Sequence, residues 1–367
     1  MYKISSYQLF AITFIFQLGT NIIFGFGSAA GRDAWISQLV SSFLGIFVIL
    51  VYTSLMHMNS GLTLVQWFPA QFGRWIGIPI AILYPLLFLY QSSRVIGDVR
   101  DMISTTLLFN TPLIITTAVF AILILYILYG GLEIISRFAE LTFPIILVLF
   151  VIEVIFLFSS GVMHIKNLQP ILENGWGPIL NVVYPGGINI SAGITIIFAM
   201  FWTETTHPEK IMKITILSIV LAGTMIALFD MLSISVLGHL FSHFLYPLYT
   251  LLSLIRVGEF IENLQIIGVI YFFTTAFLHT SILLLGAVKG FQQLVRIQDY
   301  RKLALPAVVI ALTLGMTMSK NITEHFYYQH IKILVPYIWV PMYLVLPTIL
   351  LIITWFRQKV FKFKNTG

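Results

Sequence analysis

The sequence contains no cysteine and very little charge. Only 9% of its 367 residues are Asp, Glu, Lys or Arg, against roughly 25% in an average soluble domain. The absence of cysteine excludes disulfide bonds, thiolate metal sites and cysteine nucleophiles. Because 59% of the residues are hydrophobic and the mean hydropathy is +0.96, the composition indicates an integral membrane protein.

Motifs for catalysis and for nucleotide or metal binding are also missing. The sequence has no P-loop and no nucleophile elbow, and His239 and His243 have metal-ligand spacing without a third ligand. The net charge of +6 comes from basic residues that stand singly or at the ends of hydrophobic segments. We therefore expect a protein that is not an enzyme, with no metal or other cofactor and no nucleic-acid partner.

The hydrophobic segments predict an all-α fold with about ten transmembrane helices. A membrane helix needs about 20 apolar residues, and the whole chain, 1–367, reads as a single transmembrane domain. Residues 62–76, with Trp67 and Trp75, look like an interfacial segment. The predicted spans are 7–30, 34–56, 77–106, 112–130, 138–159, 179–203, 211–237, 263–289, 304–319 and 333–356.

The distribution of Lys and Arg predicts the orientation of these spans. With the N-terminus in the cytoplasm, 13 of the 20 basic residues lie on the cytoplasmic side and 5 lie outside. Cytoplasmic loops carry the excess of Lys and Arg in membrane proteins. We therefore expect both termini in the cytoplasm.

Two of the predicted spans are broken by glycine and proline. Residues 18–31 include four glycines, and residues 185–193 begin with Pro-Gly-Gly. An unpaired backbone group is costly in hydrocarbon, so such breaks survive where they line a cavity or are buried in protein. Dividing the spans five plus five, into repeats 1–159 and 179–357, makes the broken helices the first of each half. This is the inverted-repeat layout of LeuT-like transporters.

Short strings spread over almost the whole chain carry a resemblance to one family. The chain resembles the B subunit of bacterial spore germinant receptors, a branch of the amino acid–polyamine–organocation superfamily. It departs from many relatives at Ile194, where they carry Glu. The strings are Gln17-Leu18-Gly19, Gly73-Arg74-Trp75-Ile76-Gly77, Thr111-Pro112, Gly130-Gly131-Leu132, Ser136-Arg137, Asn167-Leu168-Gln169-Pro170, Gly175-Trp176-Gly177-Pro178, Tyr246-Pro247, Phe272-Phe273-Thr274-Thr275 and Lys289-Gly290.

The resemblance implies a function, a location and partners. A B subunit would lie in the bilayer of the spore inner membrane, bind a small nutrient germinant, expected to be an amino acid, and work with A and C subunits. Two other readings stay open: a secondary amino acid transporter working by alternating access, and a membrane scaffold with a vestigial pocket. The fold alone does not choose among them.

The breaks supply most of the candidate ligand-binding residues. Glycine permits unwinding, and the freed backbone N–H groups can bind a carboxylate. Close packing of helices through small residues is the alternative explanation for the first break, and an ordinary kink for the second. The candidates are Gly19, Thr20 and Asn21 in the first break and Asn189, Ser191, Ala192 and Gly193 in the second, where the resemblance adds that residues line the germinant pocket.

Two further walls are predicted from spans three and eight. Leu87 and Gln91 lie one turn apart on one helix face, and a membrane-buried Gln needs a polar partner, either a ligand or another helix. Thr275 matches the family's substrate-facing Thr-Thr, although threonines in membrane helices commonly bond their own i−4 carbonyl.

Several charged residues fall within predicted spans and are not assigned to the pocket. Arg94 and Asp98 are four residues apart, which suits an ion pair, and Asp101 adds charge nearby. Glu153 and Asp230 lie nearer mid-bilayer, where each could bind a proton or cation or contact a neighbouring helix. We expect a structural Arg94–Asp98 pair.

Overall fold

The computed structural model describes residues 2–108, 110–257, 261–262, 264–320 and 324–365, and these are helical almost throughout. Two-residue strands, β1 (Arg256–Val257) and β2 (Ile261–Glu262), pair antiparallel. Between the α-helices lie shorter 3₁₀ turns and π-helical turns. The α-helices in the described residues are α1 (Ser6–Leu18), α2 (Ala34–Met58), α3 (Leu64–Met102), α4 (Leu113–Ser160), α5 (Trp176–Val182), α6 (Ile188–Ser191), α7 (Ile211–Leu237), α8 (Pro247–Leu254), α9 (Gln265–Val295), α10 (Arg301–Thr317) and α11 (Leu346–Asn365).

Seven helical segments of the described chain are long and apolar enough to cross a membrane. The predicted all-α membrane fold is confirmed at this level, whereas the division into ten spans remains a prediction. Helix α1 is apolar but has only 13 residues. The seven segments are Ser28–Met58, Leu64–Leu107, Leu113–Ser160, Trp176–Met200, Pro208–His243, Gln265–Val295 and His330–Lys359.

Glycines with positive φ bend the two longest helices. Helix α4 has 48 residues and contains Gly131 at φ 66°, where an added Cβ would lie 2.5 Å from the Tyr300 hydroxyl. Helix α3 bends at Gly73, φ 76°. The predicted interfacial segment divides at that bend, because Trp75 is 94% exposed whereas Trp67 is fully buried. Trp67 packs inside the protein and donates to the Leu62 carbonyl, so of the two indoles only that of Trp75 is exposed.

Helix α1 begins with a capping box between Ser5 and Gln8 and ends at Leu18. Gly19, at φ 44° and ψ −138°, closes the helix with its N–H on the Ile15 carbonyl. The chain then runs through turns until the 3₁₀ helix Ser28–Asp33. We call residues 19–27, which have no α-helical assignment, the first interruption.

The second hydrophobic segment with irregular backbone runs from α5 to a 3₁₀ helix. Helix α5 leads into a π-helical turn, Val183–Gly187, then the four-residue α6 and the 3₁₀ helix Gly193–Met200. We call residues 183–193 the second interruption. The Gln17 side chain donates a 2.6 Å hydrogen bond to the Ile190 carbonyl, so the end of α1 contacts this interruption directly.

Helix α1 is buried on nearly all sides within the bundle. Ten of the 13 residues of α1 are buried, which is typical of a helix surrounded by others. Helix α1 packs against α4, α7 and α9, while α3 packs along α9 and α2 along α7. Arg100 of α3 donates to the carbonyls of Gly315 and Met316 at the end of α10, where a cation is favoured.

Candidate functional site

The two interruptions face a cavity inside the bundle. It measures about 540 Å³, including the part open to solvent. Its walls come from both interruptions, α3, α9 and the π-helical segment Glu324–Val345. The lining residues are Thr20, Asn21, Phe26, Gln91, Arg94, Val95, Asp98, Asn189, Ile190, Ile194, His279, His330 and Trp339.

In the first interruption, Thr20 and Asn21 line the cavity and Gly19 does not. The Thr20 carbonyl accepts from the N–H groups of Ile23 and Phe24, and the Asn21 amide donates to the Gln17 carbonyl over 3.4 Å. Gly19 lies behind this wall with its N–H bonded to Ile15. Gly19 therefore shapes the interruption, while its two neighbours face the cavity.

In the second interruption, Asn189 lines the cavity. Its side-chain NH₂ donates a 2.7 Å hydrogen bond to the Pro185 carbonyl, and its Oδ1 has no hydrogen-bond partner among the described residues. The other three candidates of this interruption lie outside the lining.

Those three candidates, Ser191, Ala192 and Gly193, contact α2. Gln38 donates to the Ser191 hydroxyl over 3.4 Å, and the Tyr52 hydroxyl donates to the Gly193 carbonyl over 2.9 Å. An added Cβ on Gly45 of α2 would lie 2.7 Å from the Ala192 side chain. The contacts hold the second interruption against α2.

The predicted walls from α3 and α9 are only partly in the lining. Gln91 faces the cavity and donates to the Tyr343 hydroxyl at 3.5 Å. Leu87, one turn earlier, is buried outside the lining. The Thr275 hydroxyl is turned to the backbone: it bonds the Gly19 carbonyl at 2.6 Å and its own i−4 carbonyl at 2.8 Å.

The expected ion pair between Arg94 and Asp98 is not formed. Asp98 accepts a 3.0 Å hydrogen bond from His325, while Arg94 Nη2 donates to the His325 carbonyl and lies 3.2 Å from His330 Nδ1. The Tyr90 phenol lies beside the guanidinium. Arg94 Nη1 is buried with no hydrogen-bond partner in the described part of the chain. The partners of Arg94 and Asp98, His325 and His330, are more than 200 residues away in the sequence. The i,i+4 spacing of Arg94 and Asp98 therefore predicted the wrong partner for each.

Seven other lining residues were not expected, among them Phe26, His279, His330 and Trp339. His279 of α9 has Nδ1 2.8 Å from the Phe16 carbonyl, and its ring stacks on that of Phe16. The Trp339 indole N–H is buried and unbonded to any described residue. No local sequence pattern indicates these residues, whereas Arg94 could have been chosen as a charged residue within a membrane span.

Three residues that line the cavity carry a buried polar atom without a hydrogen-bond partner among the described residues. Arg94 Nη1 and Trp339 Nε1 are donors, and Asn189 Oδ1 is an acceptor. A buried polar atom without a partner costs about 1–3 kcal/mol, so a ligand that bonds these atoms is favoured. Within the described ranges, no group of three His, Cys, Asp or Glu residues could hold a metal ion. The arrangement suits binding.

Comparison with known proteins agrees with the resemblance seen in the sequence. Residues 3–324 match the spore permease family, described as spore germination protein. The chain is 28% identical to spore germination protein KB of Bacillus subtilis (strain 168), over 97% of this chain and 96% of that protein. It is 23% identical to spore germination protein B2 of the same organism, over 82% and 81% of the two chains.

A solved transporter structure has a similar fold. It is Mhp1, a nucleobase-cation-symport-1 family transporter, in a closed conformation with bromovinylhydantoin bound. The TM-score is 0.65, the sequence identity is 13%, and the match covers 86% of this chain and 72% of that chain. The likeness shows a LeuT-like transporter fold and nothing about the ligand. Family and fold are those of germination proteins and transporters, not of enzymes.

Proposed function

The chain belongs to the spore germination protein family, and we propose that it is the membrane subunit of a bacterial spore germinant receptor. It binds a small nutrient germinant, an amino acid, in the cavity between the two interruptions, α3 and α9. Binding changes the relative position of these elements and signals to A and C subunits in the spore inner membrane. The observation that carries the proposal is Arg94: its side chain lines the cavity, and its buried Nη1 has no hydrogen-bond partner among the described residues.

The polar atoms of the cavity support an amino acid as the ligand. A carboxylate would accept from Arg94 Nη1 and Trp339 Nε1, and an ammonium group would donate to Asn189 Oδ1 and Asp98. Charge-assisted hydrogen bonds of this kind are roughly twice as strong as neutral ones. A buried cation is unfavourable unless it is paired. A carboxylate ligand supplies that pair.

We also propose the finer architecture of ten spans in a 5+5 inverted repeat, 1–159 and 179–357, with spans one and six broken. Three features of the backbone support it: α1 ends at Leu18, the second interruption divides residues 176–200, and Gly131 bends the 48-residue α4. Under this division the cavity is lined by both repeats. A ligand bound there can report how the repeats are placed relative to each other.

A secondary amino acid transporter is the alternative, and the likeness to a transporter structure favours it. Transport needs a coupling site as well as a ligand site. In this chain two carbonyls at the end of α1, those of Phe16 and Gly19, are already bonded by His279 and Thr275 of α9. Because these two carbonyl oxygens already accept hydrogen bonds, they are less suited to bind a coupling cation, and this favours a receptor.

Arg94→Gln tests the ligand site. We expect glycine and L-alanine to raise the melting temperature of the purified full-length protein, and the substitution to weaken their apparent Kd by about 10–100-fold, since a hydrogen bond to a charged group is worth about 1.5–3 kcal/mol. Arg137→Gln is the control, because Arg137 is 61% exposed and pairs with Glu133. Stabilisation by glucose but not by amino acids, or amino acid binding that Arg94→Gln leaves intact, would contradict the proposal.

Proteoliposomes separate the receptor from the transporter. A receptor requires only that the ligand favour one conformation, whereas a transporter must also release it on the other side. We expect no concentrative uptake of labelled alanine under a proton or sodium gradient. Sustained gradient-driven uptake that Arg94→Gln abolishes would establish the transporter instead.

A further inference from the structure

A second, mostly apolar cavity lies next to the proposed ligand site. It measures about 760 Å³, including the part open to solvent, and it lies among the first interruption, α2, the second interruption and residues 330–335. Ala29, Val182, Ile331 and Val335 contribute its apolar walls. We call it the apolar chamber, and we call the cavity that contains Arg94 the polar cavity.

Three residues border both spaces: Phe26, Ile190 and His330. The rings of Phe26 and His330 stack with centroids 5.4 Å apart and planes at 23°. The His330 ring also contacts the polar cavity, since its Nδ1 lies 3.2 Å from Arg94 Nη2. The partition between the guanidinium and the apolar chamber is therefore about one stacked ring pair thick.

Phe26 is the member of this partition that is not held in a helix. It lies in the first interruption, where its N–H bonds the Phe24 carbonyl at 2.8 Å, and it is only partly buried. His330, by contrast, belongs to the π-helical segment and also contacts Trp339 with centroids 4.6 Å apart. Shortening the Phe26 side chain therefore changes no residue of a helix and removes neither partner of the Arg94–His330 contact.

We propose that Phe26 determines which amino acids the site accepts, by closing the polar cavity against the apolar chamber. The inference rests on the proposed amino acid site. With the ring in place, a ligand whose carboxylate is on Arg94 has room for a small side chain. With the ring removed, the two spaces join, and the chamber becomes a subsite for an unbranched apolar side chain of the same ligand.

The expected change follows from the chemistry of the chamber walls. Each methylene group that moves from water into an apolar site strengthens binding about fourfold. L-Norleucine has three more methylene groups than L-alanine, so a ligand that reaches the chamber should gain affinity over alanine. In the intact protein, the ring prevents this gain. The ratio of the two dissociation constants is therefore the quantity to measure.

Purified full-length protein and its Phe26→Ala variant are titrated with glycine, L-alanine and L-norleucine, with ligand-dependent thermal stabilisation as the readout. We expect the intact protein to prefer alanine, and Phe26→Ala to shift the alanine-to-norleucine ratio at least tenfold toward norleucine. Phe150→Ala is the matched control, because Phe150 is also partly buried, packs edge-on against Phe229 and lines neither cavity.

A double variant tests the chamber itself. Phe26→Ala combined with Val335→Trp refills the space, since Val335 lines only the apolar chamber, and it should return the ratio to within about threefold of the intact protein. If Phe26→Ala does not fold, Phe26→Leu should shift the ratio in the same direction by a smaller factor.

The inference fails, and the proposed function stands, if Arg94-dependent binding of alanine is seen and the ratio stays unchanged in Phe26→Ala and Phe26→Leu. It also fails if the double variant keeps the shifted ratio, because norleucine then uses another site. If neither the intact protein nor the variants bind any of the three amino acids, the proposed function fails and the inference with it.

Discussion

The Thr275 hydroxyl donates a 2.6 Å hydrogen bond to the Gly19 carbonyl oxygen, joining α9 to the end of α1 across 256 residues of sequence. One turn further along α9, His279 Nδ1 lies 2.8 Å from the Phe16 carbonyl. A helix end leaves up to four carbonyls without helical partners, and here α9 supplies two of the partners. The cavity-lining residues Thr20 and Asn21 follow directly, so α9 fixes the position of this wall.

Thr275→Val should weaken the contact between α9 and the end of α1. Valine keeps the shape of threonine without a donor, which leaves the buried Gly19 carbonyl unbonded at a cost of about 1–3 kcal/mol. We expect a lower melting temperature in detergent and weaker alanine binding, because the first interruption is no longer held. Thr275→Ser retains the hydroxyl and is the control. Equal melting temperatures for the valine and serine variants would show that the hydrogen bond contributes nothing.

Gly19→Ala should disturb the same contact from the α1 side. An added Cβ would lie 2.9 Å from His279 Nδ1 and 3.1 Å from the Phe16 carbonyl, at a φ of +44° that L-residues rarely adopt. We expect His279 to move off the Phe16 carbonyl and alanine-dependent stabilisation to be lost.

Gly175→Ala is the matched control for that change. Gly175 has φ 66° and ψ −164°, a similarly strained backbone, but nothing lies within 4 Å of an added Cβ. Both variants carry a backbone strain of about 1–3 kcal/mol, so only Gly19→Ala should affect ligand binding. Alanine binding equal in the two variants would mean that Gly19 has no special relation to the site.

Composition and glycine placement predicted the membrane fold and where the cavity lies. The glycine break predicts Thr20 and Asn21, and the need of a membrane-buried amide for a partner predicts Gln91; all three line the cavity. Thr275 was chosen by resemblance, and the structure turns its hydroxyl to the Gly19 carbonyl. Local pattern predicts that a residue needs a partner, but it does not identify which one.

The rest of the site depends on contacts between distant parts of the chain. Asp98 bonds His325, which is 227 residues away, so the i,i+4 spacing with Arg94 was uninformative. His330 and Trp339 reach the cavity from the π-helical segment Glu324–Val345, whose irregular backbone has no clear sequence period. Such residues become visible only when the helices are packed.

One end of the bundle is closed by contacts among four separate segments. Lys289 of α9 pairs with Glu204 at 2.5 Å, and the Glu204 carbonyl accepts from the Ile4 N–H. The Lys289 ammonium also lies 5.9 Å from the centre of the Tyr300 ring, which precedes α10. His207 and Gln298 are exposed in the connections next to this network. The excess of Lys and Arg predicts that these connections lie in the cytoplasm.

Single cysteines introduced into this cysteine-free chain test that orientation. We expect Asn174→Cys, in the exposed segment before α5, to react with a membrane-impermeant maleimide from outside, because few basic residues lie on that side. His207→Cys and Gln298→Cys should react only after the membrane is permeabilised. Labelling of all three in detergent is the control for accessibility. The reverse pattern in intact vesicles of known orientation would place both termini outside and move the Lys289–Glu204 network to the outer face.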